Sequence, residues 1–395
     1  MSERPNLGYR FPWREGNSTQ LLVDAEQFYP AMLQAIYDAR RYVLLEMYLV
    51  ESGAVADRFI EAFCDAAHRG VNVYLLLDGY GSLGLNKRDQ AQLKQADIQL
   101  VFYNPLHYGK LRRNFFRDHR KLLLVDGELA VIGGVGITDQ FDPPNDPAKA
   151  WRDTAIVLRG PCVADWEAVF TRTWDKWATL SLPAGDQSRA VRQAGQAVGR
   201  LTCTWGRGFQ EIKRSLIKRI RNAERVAWVA TAYFVPSRKI RRALKRAARR
   251  GVDVRLLLPG GHTDHPAVRH AGRRFYFSLL LAGVRIFEYQ PRFSHTKLLL
   301  CDGWVSIGSS NLDRWNLRWN LEANQEIEDY TLVENVTSMF EQDFSNSHEW
   351  LLSDWRQRSW SQRIQEWFWG KVDVWLDRWI DSHRFPSRSE HNKEH

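Results

Sequence analysis

One stretch of this chain occurs twice, and the repetition limits the fold more than any other feature. The first copy reads His119-Arg120-Lys121-Leu122-Leu123-Leu124-Val125-Asp126-Gly127 and the second His295-Thr296-Lys297-Leu298-Leu299-Leu300-Cys301-Asp302-Gly303. Each precedes a cluster of small residues, Gly133-Gly134-Val135-Gly136 and Gly308-Ser309-Ser310-Asn311. The flanks repeat as well: Ala62–Leu77 is echoed by Ala243–Leu258, and Ala39–Leu45 by Ala223–Val229. The offsets run from 176 residues (119 to 295) to 184 residues (39 to 223). That is too long for a stacked repeat and predicts duplication of a whole domain.

Each half alternates helices with short apolar strands. Phe59–Arg69 repeats its apolar residues at helical spacing and ends at Gly70, and Val71–Leu77 follows as a buried strand. This alternation predicts an α/β fold of two duplicated lobes, each a sheet covered by helices in an α/β/α sandwich. The first lobe spans 1–179 and the second 201–350, joined by a linker over 180–200 whose body is the Ser-, Pro- and Gln-containing stretch Leu180–Gln196. A Trp-rich segment, 351–395, closes the chain and ends in a disordered tail, Ser387–His395.

Two histidines and two lysines in matched surroundings suit phosphodiester chemistry. Phe116–Val125 reads as a strand, where residues two apart share a face, so His119 stands beside Lys121 and His295 beside Lys297. Asp126-Gly127 and Asp302-Gly303 lie between apolar runs, as hairpin turns do. These aspartates either form the turns or hold the lysines and histidines in place. The small residues beyond them let backbone N–H groups approach an anion, Ser309 among them, and Asn311 adds a side-chain donor. Lys121 and Lys297 would clamp the non-bridging oxygens. One neutral histidine attacks phosphorus; the other, protonated, protonates the leaving alkoxide and then takes a proton from the incoming acceptor. Opposed protonation states predict a bell-shaped pH dependence. Each imidazole needs a partner on its far nitrogen, for which Asp153 and Glu322 are the candidates. The scheme uses no metal and no other cofactor.

The repeated H-x-K-x4-D pattern resembles the phospholipase D superfamily in its two-motif form. Trp13–Asn17, Leu75–Gly81, Gly308–Asp313 and Asn320–Asn324 are similar to bacterial cardiolipin synthases, nearest the B-type, which lacks the two N-terminal transmembrane helices of the A-type. The resemblance covers about residues 12 to 345. It implies lobes related by a pseudo-twofold with the active site between them. It also implies metal-free transfer of a phosphatidyl group, for which phosphatidylglycerol is a usual donor in such enzymes and its glycerol hydroxyl a usual acceptor. On the family pattern His119 is the nucleophile and His295 the general acid and base. The chain departs from the pattern at Gly136, where the family has asparagine, and in the second hairpin, with five residues rather than six between Asp302 and Gly308.

The net charge of +10 favours polyanions, either nucleic acid or an anionic lipid leaflet. The 17 tryptophans lean toward lipid, because indole prefers the headgroup region. Trp360, Ile364, Trp367, Phe368, Val372, Trp375, Leu376 and Trp379 recur at helical spacing, so Trp360–Ile380 reads as an amphipathic, membrane-associated helix; packing against its own lobe is the plainer alternative. Arg238–Arg250 carries eight basic residues in thirteen and reads as a second helix. The sequence has no spanning run of about 18 apolar residues, no apolar signal core and no CxxC pair. The expected place is therefore the cytoplasmic face of a bacterial inner membrane, held peripherally. A superfamily nuclease, a hydrolytic phospholipase D and an inactive membrane scaffold are the competing readings. The Trp-rich segment speaks against nucleic acid and the intact motifs against a dead site. The acceptor (phosphatidylglycerol, phosphatidylethanolamine or a free alcohol) and the oligomeric state are not legible.

Overall fold

A computed structural model describes residues 10–107, 109, 113–182, 193–205, 209–314, 316–360, 364–369 and 371–372. The first half contributes strands β1 (Arg14–Val23), β2 (Tyr42–Met47), β3 (Asn72–Asp78), β4 (Gln99–Tyr103), β5 (Lys121–Val125), β6 (Leu129–Gly133) and β7 (Thr154–Arg159). The second contributes β8 (Ala197–Trp205), β9 (Phe209–Gln210), β10 (Val226–Ala230), β11 (Asp253–Pro259), β12 (Arg285–Tyr289), β13 (Leu298–Cys301), β14 (Trp304–Gly308), β15 (Leu321–Glu328) and β16 (Ser347–Trp350).

All belong to one sheet. Its order is β16-β12-β11-β10-β13-β14-β15-β8-β1-β7-β6-β5-β2-β3-β4, with β9 on β8. Read outward from the centre, β1-β7-β6-β5-β2-β3-β4 and β8-β15-β14-β13-β10-β11-β12 are the same arrangement. The equivalent strands β1 and β8 are neighbours and antiparallel, Arg14 opposite Gly199 and Asn17 opposite Ala197. Equivalent strands paired this way relate the halves by a local twofold, as the family resemblance implied.

Beyond Lys121 the motif strands are apolar at every position because both their faces are covered. Leu122 and Leu124 of β5 join Leu298 and Leu300 of β13 in one core. It is roofed by the helices Cys162–Trp177 and Tyr330–Ser345 and runs through both lobes. Leu123 and Val125 face the other way, into a core confined to the first lobe. Leu299 and Cys301 face a separate core confined to the second. By strand parity His119 and Lys121 share the face of Leu123, and His295 and Lys297 that of Leu299. The paired motifs thus stand on the face where the lobes' helices do not merge.

The first motif strand is shorter than the Phe116–Val125 expected. β5 starts at Lys121, opposite Met47, where its partner β2 ends. Upstream the chain pairs across the lobes: Leu321 N–H donates to Arg117 O at 2.9 Å and His119 N–H to Leu321 O at 3.0 Å. The second lobe reciprocates, with Arg152 N–H on Phe293 O at 2.8 Å and His295 N–H on Arg152 O at 2.7 Å.

The shortened second hairpin keeps its register. Leu298 opposes Ile307 as Leu122 opposes Ile132. One step further sets Lys297 beside Gly308 and Lys121 beside Gly133, so the missing residue is lost from the turn alone. The helix expected at Phe59–Arg69 spans Ala54–His68, and the basic helix spans Arg238–Arg249 with Ser237 as its cap and Ile240, Ala243, Leu244 and Ala247 buried. Two boundaries move. β8 begins at Ala197, inside the 180–200 linker, because Val198–Arg200 already pairs with β15. Trp355, beyond the 350 boundary, is fully buried against Tyr276 and Trp350 in the second lobe's core. Residues 183–192 of the linker and the tail 387–395 lie outside the described residues, as do parts of Trp360–Ile380.

Candidate active site

The reciprocal pairing of chain across the lobes decides where the histidines point. Because His119 bonds to the backbone of Leu321, its ring lies over Glu322: Nδ1 is 3.0 Å from Oε1 and 3.1 Å from Oε2. Because His295 bonds to the backbone of Arg152, its Nδ1 meets Asp153 Oδ2 at 2.7 Å. Each imidazole is therefore oriented by a carboxylate of the other lobe. Both rings lie on the wall of one cavity of about 560 Å³, with Lys121 beside them.

Around them the wall is aromatic. Tyr48 meets His119 edge to face at 4.7 Å, and Lys121 Nζ lies 5.0 Å from the Tyr48 ring centre. Trp151 and Phe141 flank His295 at 5.2 and 5.8 Å, with Tyr233 at 6.4 Å. Lys121 Nζ donates to His119 O at 2.6 Å, and Lys297 Nζ to His295 O at the same distance. Lys297 is fully buried, its Nζ 3.0 Å from Nδ1 and 3.1 Å from Nε2 of the His295 ring.

Burial governs the electrostatics. It pushes both histidines below the usual imidazole range, His295 further than His119, and the two lysines add to the effect. Burial, together with repulsion from Lys297, brings Lys121 down to about 7; burial lowers Lys297 too. Burial raises Asp153 to about 6. Asp153 and His295 thus face each other along the 2.7 Å contact with the charged form of each penalised by burial. An anion entering beside Lys121 would offset the penalty on the cationic forms of the lysines and histidines and add to that on the Asp153 carboxylate.

Four of the expected site residues are placed elsewhere. Asp126 accepts N–H bonds from Arg40, Arg41 and Tyr42 at 2.8 to 2.9 Å. Asp302 does the same for Glu224, Arg225 and Val226, each at 3.0 Å. The aspartates close the hairpins at the strand ends remote from the histidines, since strand β5 separates Asp126 from Lys121. Of their two readings the geometry matches the turn, with Asp126 at φ 55° and Gly127 at φ 68°. Ser309 does not line the cavity: its hydroxyl donates to Glu322 and accepts Ala323 N–H at 3.1 Å. Asn311 is fully buried off the wall, its Oδ1 3.4 Å from Thr231 Oγ1.

At Gly134, the counterpart of Ser309, a Cβ would fall 2.4 Å from Asp153 Oδ2. The first lobe therefore has no room for a hydroxyl there. At Gly136 a Cβ would fall 3.0 Å from Leu49, so the missing asparagine leaves a glycine floor in the cavity. Tyr48, Phe141, Tyr233 and Asp264 were not singled out from the sequence. The available signal was position, since Tyr48 and Tyr233 follow the carboxyl ends of β2 and β10, where α/β sheets gather ligands. Among the described residues, no group of three or more His, Cys, Asp or Glu side chains is placed to hold a metal ion.

The fold is similar to phosphatidylserine synthase of Haemophilus influenzae (TM-score 0.68, 12% identity, 94% of this chain and 96% of that one). It is also similar to polyphosphate kinase of Porphyromonas gingivalis (TM-score 0.59, 16% identity, 85% and 49%). Two H-x-K segments, one per lobe, meeting at a pseudo-twofold with crossed carboxylates, define a duplicated phospholipase D-like protein. A family model described as cardiolipin synthase, PLD-like domain, matches residues 32–174 and 216–344, once in each lobe. The chain is 34% identical over 359 residues to cardiolipin synthase A of Pseudomonas aeruginosa, covering 88% of this chain and 71% of that one. It is 34% identical over 368 residues to cardiolipin synthase B of Escherichia coli, covering 88% and 86%. The chain belongs to the cardiolipin synthase family, and identity alone does not separate the A and B forms.

Proposed function

We propose that this chain is a cardiolipin synthase that transfers a phosphatidyl group between phospholipids through a phosphohistidine. The observation that carries the mechanism is the single cavity holding both imidazoles, each braced by the opposite lobe's carboxylate. His119 is the nucleophile. Burial keeps its ring neutral, and Glu322 on Nδ1 leaves the Nε2 lone pair for phosphorus. As the Nε2–P bond forms, the bond from phosphorus to the donor's headgroup oxygen breaks. The Nε2 proton of His295 passes to that oxygen while Asp153 holds the ring from Nδ1, and glycerol leaves. The acceptor's headgroup hydroxyl then loses its proton to His295 and attacks phosphorus, releasing cardiolipin and free His119. Lys121 and Lys297 neutralise the non-bridging oxygens, and Ser309 fixes Glu322.

Phosphatidylglycerol serves as donor and acceptor in this reading, drawn from an anionic leaflet that the protein meets peripherally on the cytoplasmic side. Charge supports it. The packed helices Glu211–Asn222 and Arg238–Arg249 expose Arg214, Lys218, Arg221, Arg238, Lys239, Arg242, Arg246 and Arg249. The four cysteines are all unpaired, as a reducing compartment allows, and no described helix is long and apolar enough to cross a membrane.

The test is mass spectrometry of lipids after incubating the chain with labelled phosphatidylglycerol vesicles. Wild type is expected to yield labelled cardiolipin and glycerol. His119→Ala and His295→Ala are expected to lose at least about 10²-fold in rate with unchanged circular dichroism. Phosphatidic acid as the sole product would assign a hydrolase instead, and near-normal cardiolipin from either variant would sink the shared site.

A further inference from the structure

The C-terminal helical segment is amphipathic in the wrong sense for a helix packed on its own lobe. Residues 364–369 and 371–372 are helical. Ile364, Trp367 and Phe368 point outward, 52%, 64% and 50% exposed, and Trp360 just upstream is 75% exposed. On the inner face the side chain is a carboxylate: Glu366 is 3% exposed, 3.1 Å from Arg358 Nη2 and 3.5 Å from Arg273 Nε. Packing against a lobe normally buries the apolar stripe and leaves the charge to water. Here ion pairs seat the helix, and its large apolar side chains are left over. The same inner face then continues into the reaction cavity, since Trp369 and Val372, three and six residues after Glu366, line it together with His119, Lys121 and His295.

We infer that this one short helix does two things: its inner side chains Trp369 and Val372 wall the catalytic cavity, and its outer ones, Ile364, Trp367 and Phe368 with Trp360 just upstream, enter the bilayer, so that lipid reaches the histidines without leaving the interface. This rests on the phospholipid substrate proposed above. The occupant of the outer face is an anionic bilayer, for three reasons. Tryptophan and phenylalanine beside a cation suit the headgroup boundary, and Lys371 Nζ lies 5.7 Å from the Trp367 ring centre. The opposite face of the same helix bounds the cavity in which the lipid phosphate reacts. The helices Glu211–Asn222 and Arg238–Arg249 of the second lobe expose eight cations to an anionic leaflet.

The experiment compares the full chain with the triple variant Trp360→Ser, Trp367→Ser, Phe368→Ser, none of whose side chains lines the cavity. Tyr330→Ser, which removes another exposed aromatic (76% exposed), is the control. Three readouts are taken: co-sedimentation with phosphatidylglycerol–phosphatidylcholine vesicles, turnover of vesicle-borne phosphatidylglycerol, and turnover of monomeric dihexanoyl phosphatidylglycerol. Removing three large apolar groups is expected to weaken vesicle binding and vesicle turnover by about 10²-fold or more. Turnover of the monomeric lipid is expected to stay within about threefold, and the control should match wild type. Unchanged vesicle binding would overturn the inference. So would an equal loss on the monomeric lipid, or a wild-type dimer that the triple variant converts to monomer, which would assign the face to a second copy. Vesicle binding is read without turnover, so a wild type inactive on both lipids would refute the proposed reaction and still leave binding to decide the docking face.

Discussion

At the residue scale the two motif aspartates and the two lysines separate turn chemistry from phosphate chemistry. Asp126 binds three backbone N–H groups at the hairpin end of β5 and does not line the histidine cavity. Asp126→Asn removes one acceptor oxygen and is expected to cost about 1–3 kcal/mol of stability. The turnover of folded protein should not change. Urea denaturation and kcat measured together check this, and a 10²-fold fall in kcat at full stability would return Asp126 to the chemistry. Lys121 is the opposite case. Its folded pKa of about 7 lies below the usual lysine value of about 10.4. A depressed value means stability that is present at high pH and lost as pH falls through that window, because burial penalises the ammonium. A bound dianion removes the penalty, so binding near pH 8 takes up a proton. Calorimetry with sulfate, which does not itself titrate there, should give a buffer-dependent enthalpy approaching about one proton per anion. Lys121→Arg, charged throughout, should bind sulfate with that uptake lost; equal uptake by the variant would assign the proton to another group.

At the element scale the site is built where each lobe's chain crosses to pair with the other. The motifs, their helical and strand flanks and both candidate carboxylates were legible because the duplication doubles every signal. A pattern that is weak alone becomes specific when Ala62–Leu77 and Ala243–Leu258 repeat around it. The crossed partnership was not legible. Glu322 lies near His295 in sequence yet orients His119, and Asp153 lies near His119 yet orients His295. Local periodicity carries no record of which lobe a strand end will meet. Nor did the pattern separate Ser309 as a brace for Glu322 from Ser309 as a phosphate donor, because both uses need the same hydroxyl at the same strand end. Arg152 shows what holds the crossing. It is buried, forms two bonds of 3.0 Å to Asp343 of the second lobe and lies 3.3 Å from Asp24. Arg152→Leu strands Asp343 without a counter-charge and is expected to destabilise by about 3–5 kcal/mol. Adding Asp343→Leu should recover much of that loss, and a double variant no more stable than the single one would show that the pair does not hold the lobes.

At the scale of the whole molecule the duplication has ceased to be two domains. The sheet passes without a break through β1 and β8, and the core around Trp166, Trp174 and Phe340 draws side chains from both halves. An isolated first lobe would expose that core along β1, together with an unpaired strand edge. Independent domains unfold in separate steps, whereas one shared core unfolds as one. The full chain is therefore expected to lose far-ultraviolet circular dichroism and tryptophan fluorescence in a single coincident urea transition. A fragment ending at residue 182 should show no cooperative transition, and neither should one starting at 193. Trp166, on the helix of the first lobe, donates to Gln325 of β15 at 2.7 Å. Gln325→Ala, which breaks a contact between the halves, should move both probes by the same amount. Two resolved transitions in the full chain, or a cooperatively folding fragment, would mean that the lobes carry their own stability and that only the histidine cavity ties them together.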